Sequence, residues 1–405
     1  MKPTIKVTVA VDSFKGSMSS MEAGNAVREG ILCVKPDAEV TVFPVADGGE
    51  GTVEALSYGK SNQQRRDIRV TGPLGNPVEA SYITYDGANG RTAVIETASA
   101  AGLTLISEQE RNPMYTTTYG MGEMIRDAVM QGCRYFIIGL GGSATNDGGI
   151  GMLQALGYRF VDKYGEDVPF GARGLEMLSD IYFEDAMHEL RNCTFCVVCD
   201  VKNPLLGKQG CSMVFAPQKG ADDQMICTME QGMRHYADLV EHIAACDESP
   251  MRAGKNREYP GAGAAGGLGY AFMMFLNARL ERGVDIILNE LEIERYIIGS
   301  DYVITGEGKL DEQTLMGKAP AGVASLAKRH GKKVIAFAGC IGKGAQKCRE
   351  SGLIDEYYAI IAEPENGCDN ERKLHDWLIS AMQKENAIRN LKNKAAEVFS
   401  EMDLF

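Results

Sequence analysis

Residues 135–149 read YFIIGLGGSATNDGG. The first six residues form an apolar run of strand length, and the nine that follow contain four glycines, two hydroxyls and a carboxylate. Glycines let the backbone take positive φ and come close to a ligand, while Ser143, Thr145 and free N–H groups can donate to phosphate or carboxylate oxygens. A strand that runs into such a loop predicts an anion-binding turn.

Asp147 adds a carboxylate to this turn. A carboxylate beside an anion cradle suggests either a metal ion or a proton to be removed, which favours phosphoryl transfer over simple anion binding. The predicted substrate- or phosphate-binding residues of the loop are Gly141, Gly142, Ser143, Thr145, Asn146 and Asp147.

The same order of strand, loop and helix recurs along the chain. Residues 6–11 form a β-branched run before a helix predicted over about 20–32, with Ser19 or Ser20 as N-cap and Glu22 in its first turn. Further strands are predicted at 39–44, 194–199, 301–305 and 333–338. Strands alternating with helices predict an α/β fold with mainly parallel sheets flanked by helices, whose ligands bind at the carboxyl ends of the strands.

Two domains are predicted from the length of 405 residues and from one break in the pattern. Residues 71–77 are rich in turn formers, and an alternating strand is predicted at 78–85. The strand, loop and helix pattern of the N-terminus resumes after 291–298. We therefore expect one lobe made of 1–70 with 293–405, and a second lobe, 71–292, inserted into it.

The end of the chain, about 370–405, is predicted to be helical. Its expected core stripe consists of Leu374, Leu378, Met382 and Leu391.

Charge and hydropathy narrow the possible partners. The net charge is −13, which argues against electrostatic binding to nucleic acid or to an anionic membrane surface, so an anionic substrate must be bound locally. No stretch reaches the ~18 apolar residues of a membrane span, and Asp12 interrupts the N-terminal apolar run. A cytoplasmic protein is expected.

Eleven cysteines are scattered along the chain. The spacing of Cys193, Cys196 and Cys199 is open to a zinc or iron–sulfur interpretation. The intervening Phe195, Val197 and Val198 favour a buried strand instead, because no second Cys/His pair has suitable spacing.

Residues 12–17 and 47–51 are two further loops that can carry chemistry. Asp12, Ser13, Lys15 and Ser17 offer a carboxylate, a cation and two hydroxyls after the first strand. Asp47, Gly48, Gly49 and Glu50 offer two acids that can hold magnesium or accept a proton, among glycines that expose the backbone. Each loop has a structural alternative, namely a turn in which the acid bonds its own backbone.

Asp200 follows the apolar strand at 194–199 and is placed to accept a hydroxyl proton, with a helix or turn cap as the alternative. Residues 305–318 combine glycines, acids and lysines in a way that suits nucleotide phosphates and their metal. The predicted nucleotide-binding residues are Thr305, Gly306, Glu307, Gly308, Asp311, Gln313 and Lys318.

Three familiar site motifs do not fit. Gly59-Lys60-Ser61 lacks the Walker glycine five residues earlier, and the G-x-G-x-x-G at 261–266 follows a polar stretch in place of a strand. It is interpreted as one more flexible ligand-facing loop. No G-x-S-x-G elbow is present.

These loops together resemble the glycerate kinases of the first bacterial type. The resemblance runs in order over about residues 5–340 through the blocks 12–17, 46–52, 139–149, 216–221, 261–269 and 304–313 with Gly317-Lys318. It implies two α/β lobes, one inserted in the other, and transfer of the γ-phosphoryl group of ATP to D-glycerate with Mg²⁺. Many members of that family make 2-phosphoglycerate, and 3-phosphoglycerate is the other possible product.

The residues can be given roles in such a reaction. Lys15 and the loop 142–145 are expected to bind anionic groups, and Asp200 or Asp47 to accept the hydroxyl proton. Asp12 and Glu307 are expected to hold the metal, and the segment from Glu307 to Asp311 to assist the nucleotide. A kinase for another small hydroxy or sugar acid, a nucleotide-dependent dehydrogenase and a non-catalytic binding protein are the alternatives. A homodimer is possible.

Overall fold

The computed structural model describes residues 4–48, 51–246, 256–361 and 381–402. The chain divides into two compact units, Met1–Tyr58 with Arg282–Phe405, and Gly59–Glu281. The second unit is thus inserted into the sequence of the first. No helix within these described residues is long and apolar enough to cross a membrane.

The strands and helices alternate over most of the described chain. The strands are β1 (Lys6–Val11), β2 (Glu39–Pro44), β3 (Ser61–Thr71), β4 (Pro77–Gly87), β5 (Gly90–Glu96), β6 (Tyr135–Gly139), β7 (Arg159–Asp162), β8 (Leu178–Tyr182), β9 (Thr194–Val198), β10 (Arg279–Glu281), β11 (Tyr302–Leu310), β12 (Lys333–Ile341) and β13 (Glu356–Ala359). The helices are α1 (Ser20–Val34), α2 (Thr52–Ser57), α3 (Ala98–Ala101), α4 (Tyr119–Met130), α5 (Ile150–Ala155), α6 (Arg173–Met177), α7 (Cys211–Phe215), α8 (Asp223–Ala244), α9 (Ala264–Phe275), α10 (Gly283–Glu290), α11 (Ile293–Gly299), α12 (Ala319–Arg329), α13 (Gln346–Glu350) and α14 (Lys384–Glu401).

The first unit is built on a parallel sheet in the order β13-β12-β11-β1-β2. Its central strands are buried, with Val9 and Ile304 fully inaccessible, as expected for a parallel sheet covered on both faces. Helix α1 begins with a capping box in which the Glu22 N–H donates to Ser19 Oγ and the Ser19 N–H donates to Glu22 Oε2. The predicted N-terminus of this helix is confirmed.

The second unit has a mixed sheet in the order β10-β9-β6-β5-β4-β3. Strands β5, β6, β9 and β10 are parallel, while β3 and β4 form an antiparallel hairpin at one side. Its core is large, and α8 contributes a buried stripe that includes Met229, Met233 and Tyr236. The α/β class with mostly parallel sheets flanked by helices is confirmed.

The units divide about a dozen residues earlier than the predicted boundaries of 70/71 and 292/293. Strand β3 was assigned to the first lobe, but it pairs with β4 along its length and so belongs to the second unit. Helix α10 lies in the first unit, where a Cβ added at Gly283 would lie 2.5 Å from Gly48 Cα. Both boundaries are set by contacts between residues far apart in sequence, and local turn signals do not reveal such contacts.

Two other sequence predictions need correction. The strand predicted at 301–305 continues to Leu310, because β11 keeps its parallel pairing with β12 as far as Leu310↔Ile341. In the C-terminal helix Leu391 is fully buried as predicted, but Met382 is 48% exposed and precedes the helix. Leu374 and Leu378 lie outside the described residues.

Helices α1 and α14 pack closely in the first unit because Gly30 has no side chain. A Cβ at this position would lie 2.3 Å from the carbonyl oxygen of Lys392 and 2.9 Å from Ala395 Cβ. The first of these atoms belongs to the backbone of α14, and the second is bonded directly to that backbone. Neither can move aside unless α14 itself moves.

Substituting Gly30→Ala is therefore expected to lower stability by about 1–3 kcal/mol, despite the better helix propensity of alanine. Gly299→Ala is the matched control, since a Cβ there meets no atom within 4 Å. Thermal unfolding of the two variants checks this. Equal midpoints for both would contradict the close approach of α1 and α14.

Candidate active site

Three carboxylates of the first unit lie where parallel strands bring them to one edge. Asp12 follows β1, Asp47 follows β2 by three residues, and Glu307 lies in the last half of β11. The Asp12 N–H donates to the Gly306 carbonyl at 2.9 Å, which ties the end of β1 to β11. The predicted metal residues Asp12 and Glu307 are thus on neighbouring strands.

Asp12 is only 5% exposed. Burial, followed by the charges of Asp47 and Glu307, raises the pKa of its carboxyl group to about 7, although the Ser13 N–H and Lys15 oppose the shift. The Ser13 N–H donates to Asp12 Oδ1 at 2.6 Å, as in the predicted turn alternative. A nearby positive charge would therefore favour the deprotonated form of Asp12 at neutral pH.

The loop from Ser13 to Ser17 borders a cavity of about 330 Å³ whose lining also includes Pro44, Val45 and Lys384. Phe14 is buried and anchors the loop, while Lys15 is exposed. The Oγ atoms of Ser13 and Ser17 are buried without a hydrogen-bond partner. These two hydroxyls are available to a ligand or water in the cavity.

Gly48 follows Asp47 with φ of 100°, a conformation that favours glycine, and the backbone bends at these two residues. Gly49 and Glu50 lie outside the described residues. Asp47 and Gly48 are both half-buried.

Glu307 is held by two partners in its own unit. Thr314 Oγ1 donates to Glu307 Oε1 at 2.5 Å, and Lys318 Nζ donates to Oε2 at 3.2 Å. Burial is the largest influence on this carboxyl group and raises its pKa. Asp311 caps the short 3-10 helix Glu312–Met316 by accepting from the Gln313 N–H at 2.9 Å. The side chains of Glu307, Asp311 and Lys318 are thus gathered, while Gln313 is exposed.

The predicted nucleotide residues Thr305, Gly306 and Gly308 lie inside β11 and not in a flexible loop. A Cβ at Gly306 would lie 2.1 Å from the Phe337 carbonyl oxygen, so glycine serves strand packing there. Thr305 is fully buried and its Oγ1 has no partner. Gly308 comes close to the backbone of Phe14 and Lys15.

The acidic residues of this edge fit a divalent cation. Among the described residues, no group of three or more His, Cys, Asp or Glu side chains is arranged to hold a metal ion. Mg²⁺ is commonly bound through one or two carboxylates together with substrate phosphates, so a full protein cage is not required. Burial, followed by the charges of Asp47 and Glu307, raises the pKa of Asp12, and a bound cation would favour its charged form.

In the second unit, the glycine loop follows β6 between β5 and β9. Gly141 and Gly142 are exposed, whereas Ser143 is 7% exposed and Thr145 and Asn146 are fully buried. Thr145 Oγ1 and Asn146 Oδ1 have no hydrogen-bond partner, while Asn146 Nδ2 donates to Ser212 Oγ at 3.0 Å. The loop thus has an accessible rim of glycine and a buried polar floor.

Asp147 faces the interior of the loop. Its Oδ2 accepts from the Thr118 N–H at 2.8 Å and from Thr118 Oγ1 at 2.9 Å, and its Oδ1 accepts from the Gly149 N–H at 3.1 Å. Burial raises the pKa of this carboxyl group. These bonds give Asp147 a positioning role in the loop.

The glycines at 261–269 were interpreted as a flexible ligand-facing loop, and this interpretation is wrong. Ala265, Gly266 and Gly267 have positive φ at the start of α9. A Cβ at Gly266 would lie 2.2 Å from the Thr145 carbonyl oxygen, and the Gly148 N–H donates to the Gly266 carbonyl. These glycines support the loop at 141–149 from behind.

Asp200 is exposed, two residues after β9, and belongs to the same sheet edge as the glycine loop. The sequence interpretation missed Glu96, which ends β5 and pairs in register with Gly139 at the end of β6. Burial raises the pKa of its carboxyl group. The signal for Glu96 was an acid at the end of a strand, as for Asp200.

Lys219 was also missed. It is 2% exposed, and its Nζ donates to Ser143 Oγ at 2.9 Å and to the Thr145 carbonyl at 2.6 Å. It lies in the block 216–221 that carried part of the family resemblance, as the only cation in that block. Gly220, at φ of 93°, ends the turn where a Cβ would lie 2.3 Å from the Arg111 carbonyl oxygen.

Carboxylates and glycine loops at the carboxyl ends of parallel strands define an α/β enzyme that acts on small anionic substrates. The chain belongs to the glycerate kinase family, which it matches over residues 7–390, and it is an enzyme of the kinase class.

The chain is similar to several glycerate kinases over most of their length. The chain is 42% identical to glycerate 2-kinase of Escherichia coli (strain K12), covering 88% of this chain and 91% of that protein. It is 43% identical to glycerate kinase of Bacillus subtilis (strain 168), with 88% and 90% covered. A crystal structure from Salmonella typhimurium LT2, provisionally assigned as glycerate kinase 2, is 39% identical, with a TM-score of 0.82 over 98% of both chains.

The raised pKa of Asp12 predicts an effect on stability as well as on function. A folded pKa of about 7 against the ordinary 3.8 favours the folded state below pH 3.8, and this contribution is lost as the pH rises through about 7. In chelator at pH 8, Asp12→Asn is therefore expected to stabilise the protein, by at most about 4 kcal/mol.

The measurement is the unfolding midpoint of both proteins at pH 8 and pH 4. The advantage of the variant should shrink at pH 4, where the wild-type carboxyl group is protonated in the fold. The exposed control Asp37→Asn should show no such pattern. A variant less stable than wild type at pH 8 would contradict the electrostatic cost assigned to Asp12.

Proposed function

We propose that this kinase transfers the γ-phosphoryl group of ATP to the 2-hydroxyl of D-glycerate, with Mg²⁺, and releases 2-phospho-D-glycerate and ADP. Membership of the glycerate kinase family over residues 7–390 supports glycerate as the acceptor of the phosphoryl group. The E. coli relative, whose name specifies a 2-kinase, supports the position of transfer.

Such a reaction sets three physical demands. The acceptor's carboxylate must be held, one of its two hydroxyls must be aligned with the γ-phosphate, and the charge of the phosphates must be neutralised. The residues at the carboxyl ends of the parallel strands in each unit offer hydroxyls, buried carboxylates and lysines for these tasks. Small polar loops suffice, because glycerate presents almost no apolar surface.

The first unit is assigned to the nucleotide and metal. Asp12 and Glu307 would hold Mg²⁺, which when bound supplies positive charge to the phosphate oxygens. Lys15 is exposed on its loop and neutralises a phosphate or carboxylate. The segment from Glu307 to Lys318 faces the nucleotide phosphates, with Lys318 kept in place by its bond to Glu307.

The glycine loop of the second unit is assigned to an anionic group of the acid. Ser143 and the loop N–H groups donate to it, while Asp147 holds the shape of the loop. Asp200 in the second unit or Asp47 in the first accepts the proton that leaves the attacking hydroxyl. The hydroxyl oxygen then forms the new bond to phosphorus as the bond to ADP breaks.

The first test is ADP release measured with D-glycerate, L-glycerate and a panel of sugar acids, followed by phosphorus NMR of the product. We expect turnover that depends on D-glycerate, ATP and Mg²⁺, and a resonance of a 2-phosphate ester. A 3-phosphate resonance would overturn the position of transfer. Turnover with another acid alone would overturn the acceptor.

Nicotinamide binding, followed by its fluorescence, tests the dehydrogenase alternative in parallel. Ligand binding without turnover of any acceptor would favour the binding-protein alternative. The cytoplasmic location and the homodimer stay predictions of the sequence.

The base assignment gives a separate prediction. Asp200→Asn and Asp47→Asn keep the size of each side chain and remove its basicity. The variant that loses the base should lose about 10²–10⁴-fold in kcat with a small change in KM.

Matched controls are Asp37→Asn in the first unit and Asp223→Asn in the second, both exposed carboxylates. These should keep wild-type kcat. If Asp200→Asn and Asp47→Asn both retain most of kcat, neither is the base, and Glu96→Gln is the next variant to measure.

A further inference from the structure

Lys219 is a charged group that the roles above leave without a function. It is fully enclosed at 2% exposure, at the end of the short 3-10 helix Pro217–Lys219. A buried ammonium group is costly unless it is hydrogen-bonded and its charge is compensated. The two bonds to Ser143 and Thr145 supply partners, and the charge of Asp147 acts on it from the same loop.

The direction of the Lys219–Ser143 bond is fixed by chemistry. A lysine ammonium group has three donors and no acceptor, so Ser143 Oγ must accept at this 2.9 Å contact. The single hydroxyl hydrogen of Ser143 is then directed away from Lys219. Among the described residues, no acceptor is found for that hydrogen.

Ser143 is placed to use this hydrogen on a ligand. It retains 7% exposure and directly follows the exposed Gly141 and Gly142, so it lies next to the accessible part of the loop. The buried Thr145 Oγ1 and Asn146 Oδ1 of the same loop also lack partners, which independently indicates that the loop is completed by a bound polar group.

We propose that Lys219 is a positioning residue that orients and polarises the Ser143 hydroxyl, so that Ser143 donates a charge-assisted hydrogen bond to the carboxylate of the hydroxy acid. This rests on the proposed function. Lys219 acts through Ser143, since its own ammonium group is enclosed behind that side chain. Donation from lysine draws electron density from the hydroxyl oxygen and strengthens its O–H as a donor.

A double-mutant cycle tests the coupling. Ser143→Ala and Lys219→Met should each raise KM for D-glycerate by about 10- to 100-fold, as expected for a hydrogen bond to a charged group, with a smaller effect on kcat. The double variant should be no worse than about threefold beyond the worse single variant. Calorimetric titration with D-glycerate, without nucleotide, should give the same pattern in Kd.

The pH profile adds a readout that a purely structural lysine would not move. Burial lowers the pKa of Lys219 to about 8, and the charge of the nearby Asp147 opposes this shift. Above that pH a neutral amine can accept from Ser143 and turn its hydrogen inward, so KM should rise in wild type and stay flat in Lys219→Met. The Cys211 thiol, whose pKa burial raises to about 11, stays neutral over this range.

Lys163→Met, a change at an exposed lysine of the same unit, is the control and should leave KM unchanged. Because Lys219→Met also removes a bond to the Thr145 carbonyl, unfolding midpoints are measured alongside, and Ser143→Ala tests the same bond without disturbing that carbonyl. Effects that add in the cycle, or a normal KM for Ser143→Ala, would overturn the proposal. Wild-type protein inactive with every glycerate isomer would instead overturn the proposed function.

Discussion

The parallel pairing of strands is the constraint on which both polar edges depend. In the first unit, β1 lies between β2 and β11, so the residues that follow or end these strands come to one side of the sheet. In the second unit, β6 lies between β5 and β9 with the same consequence. Asp12, Asp47 and Glu307 are far apart in sequence and become neighbours in charge only through this pairing. The pairing of the strands thus brings these three carboxylates together.

This arrangement buries charged groups, which is unfavourable, and the two units compensate these charges in different ways. The first unit concentrates carboxylates, with Lys318 on Glu307 as a partial compensation. The second unit places Asp147 among backbone donors, and the Lys219 ammonium group donates to residues of the same loop. Carboxylates in excess suit a cation carrying phosphates, whereas hydroxyls backed by an ammonium group suit an anion. The contrast in local charge is the physical basis for assigning nucleotide and acid to different units.

Much of the fold could be predicted because its signals are local. The capping box at Ser19 and Glu22, the apolar run at 135–140 and the turn at 71–77 each specify a short element from neighbouring residues. The length of β11 could not be predicted, because Gly306 and Gly308 signal flexibility to a local interpretation. Their absent side chains instead admit the carbonyl oxygens and backbone of adjacent segments. The predicted lobe boundaries differ from those of the compact units for the same reason, since β3 is assigned by its partner β4.

The residues of the candidate site likewise differ in whether the local sequence points to them. Ser143 and Asp12 could be proposed from the sequence, because each is a polar residue that comes directly after an apolar strand or within a glycine-rich loop. Lys219 could not, since a lysine between Gln218 and Gly220 gives no sign of burial. Only the fold places its ammonium group within 3 Å of Ser143 Oγ. Once it is there, the lack of any acceptor on lysine determines how the serine hydroxyl is used. In the proposed arrangement, a buried group that can only donate thus sets the direction of the Ser143 hydrogen bond, and it does so without reaching the surface of the loop.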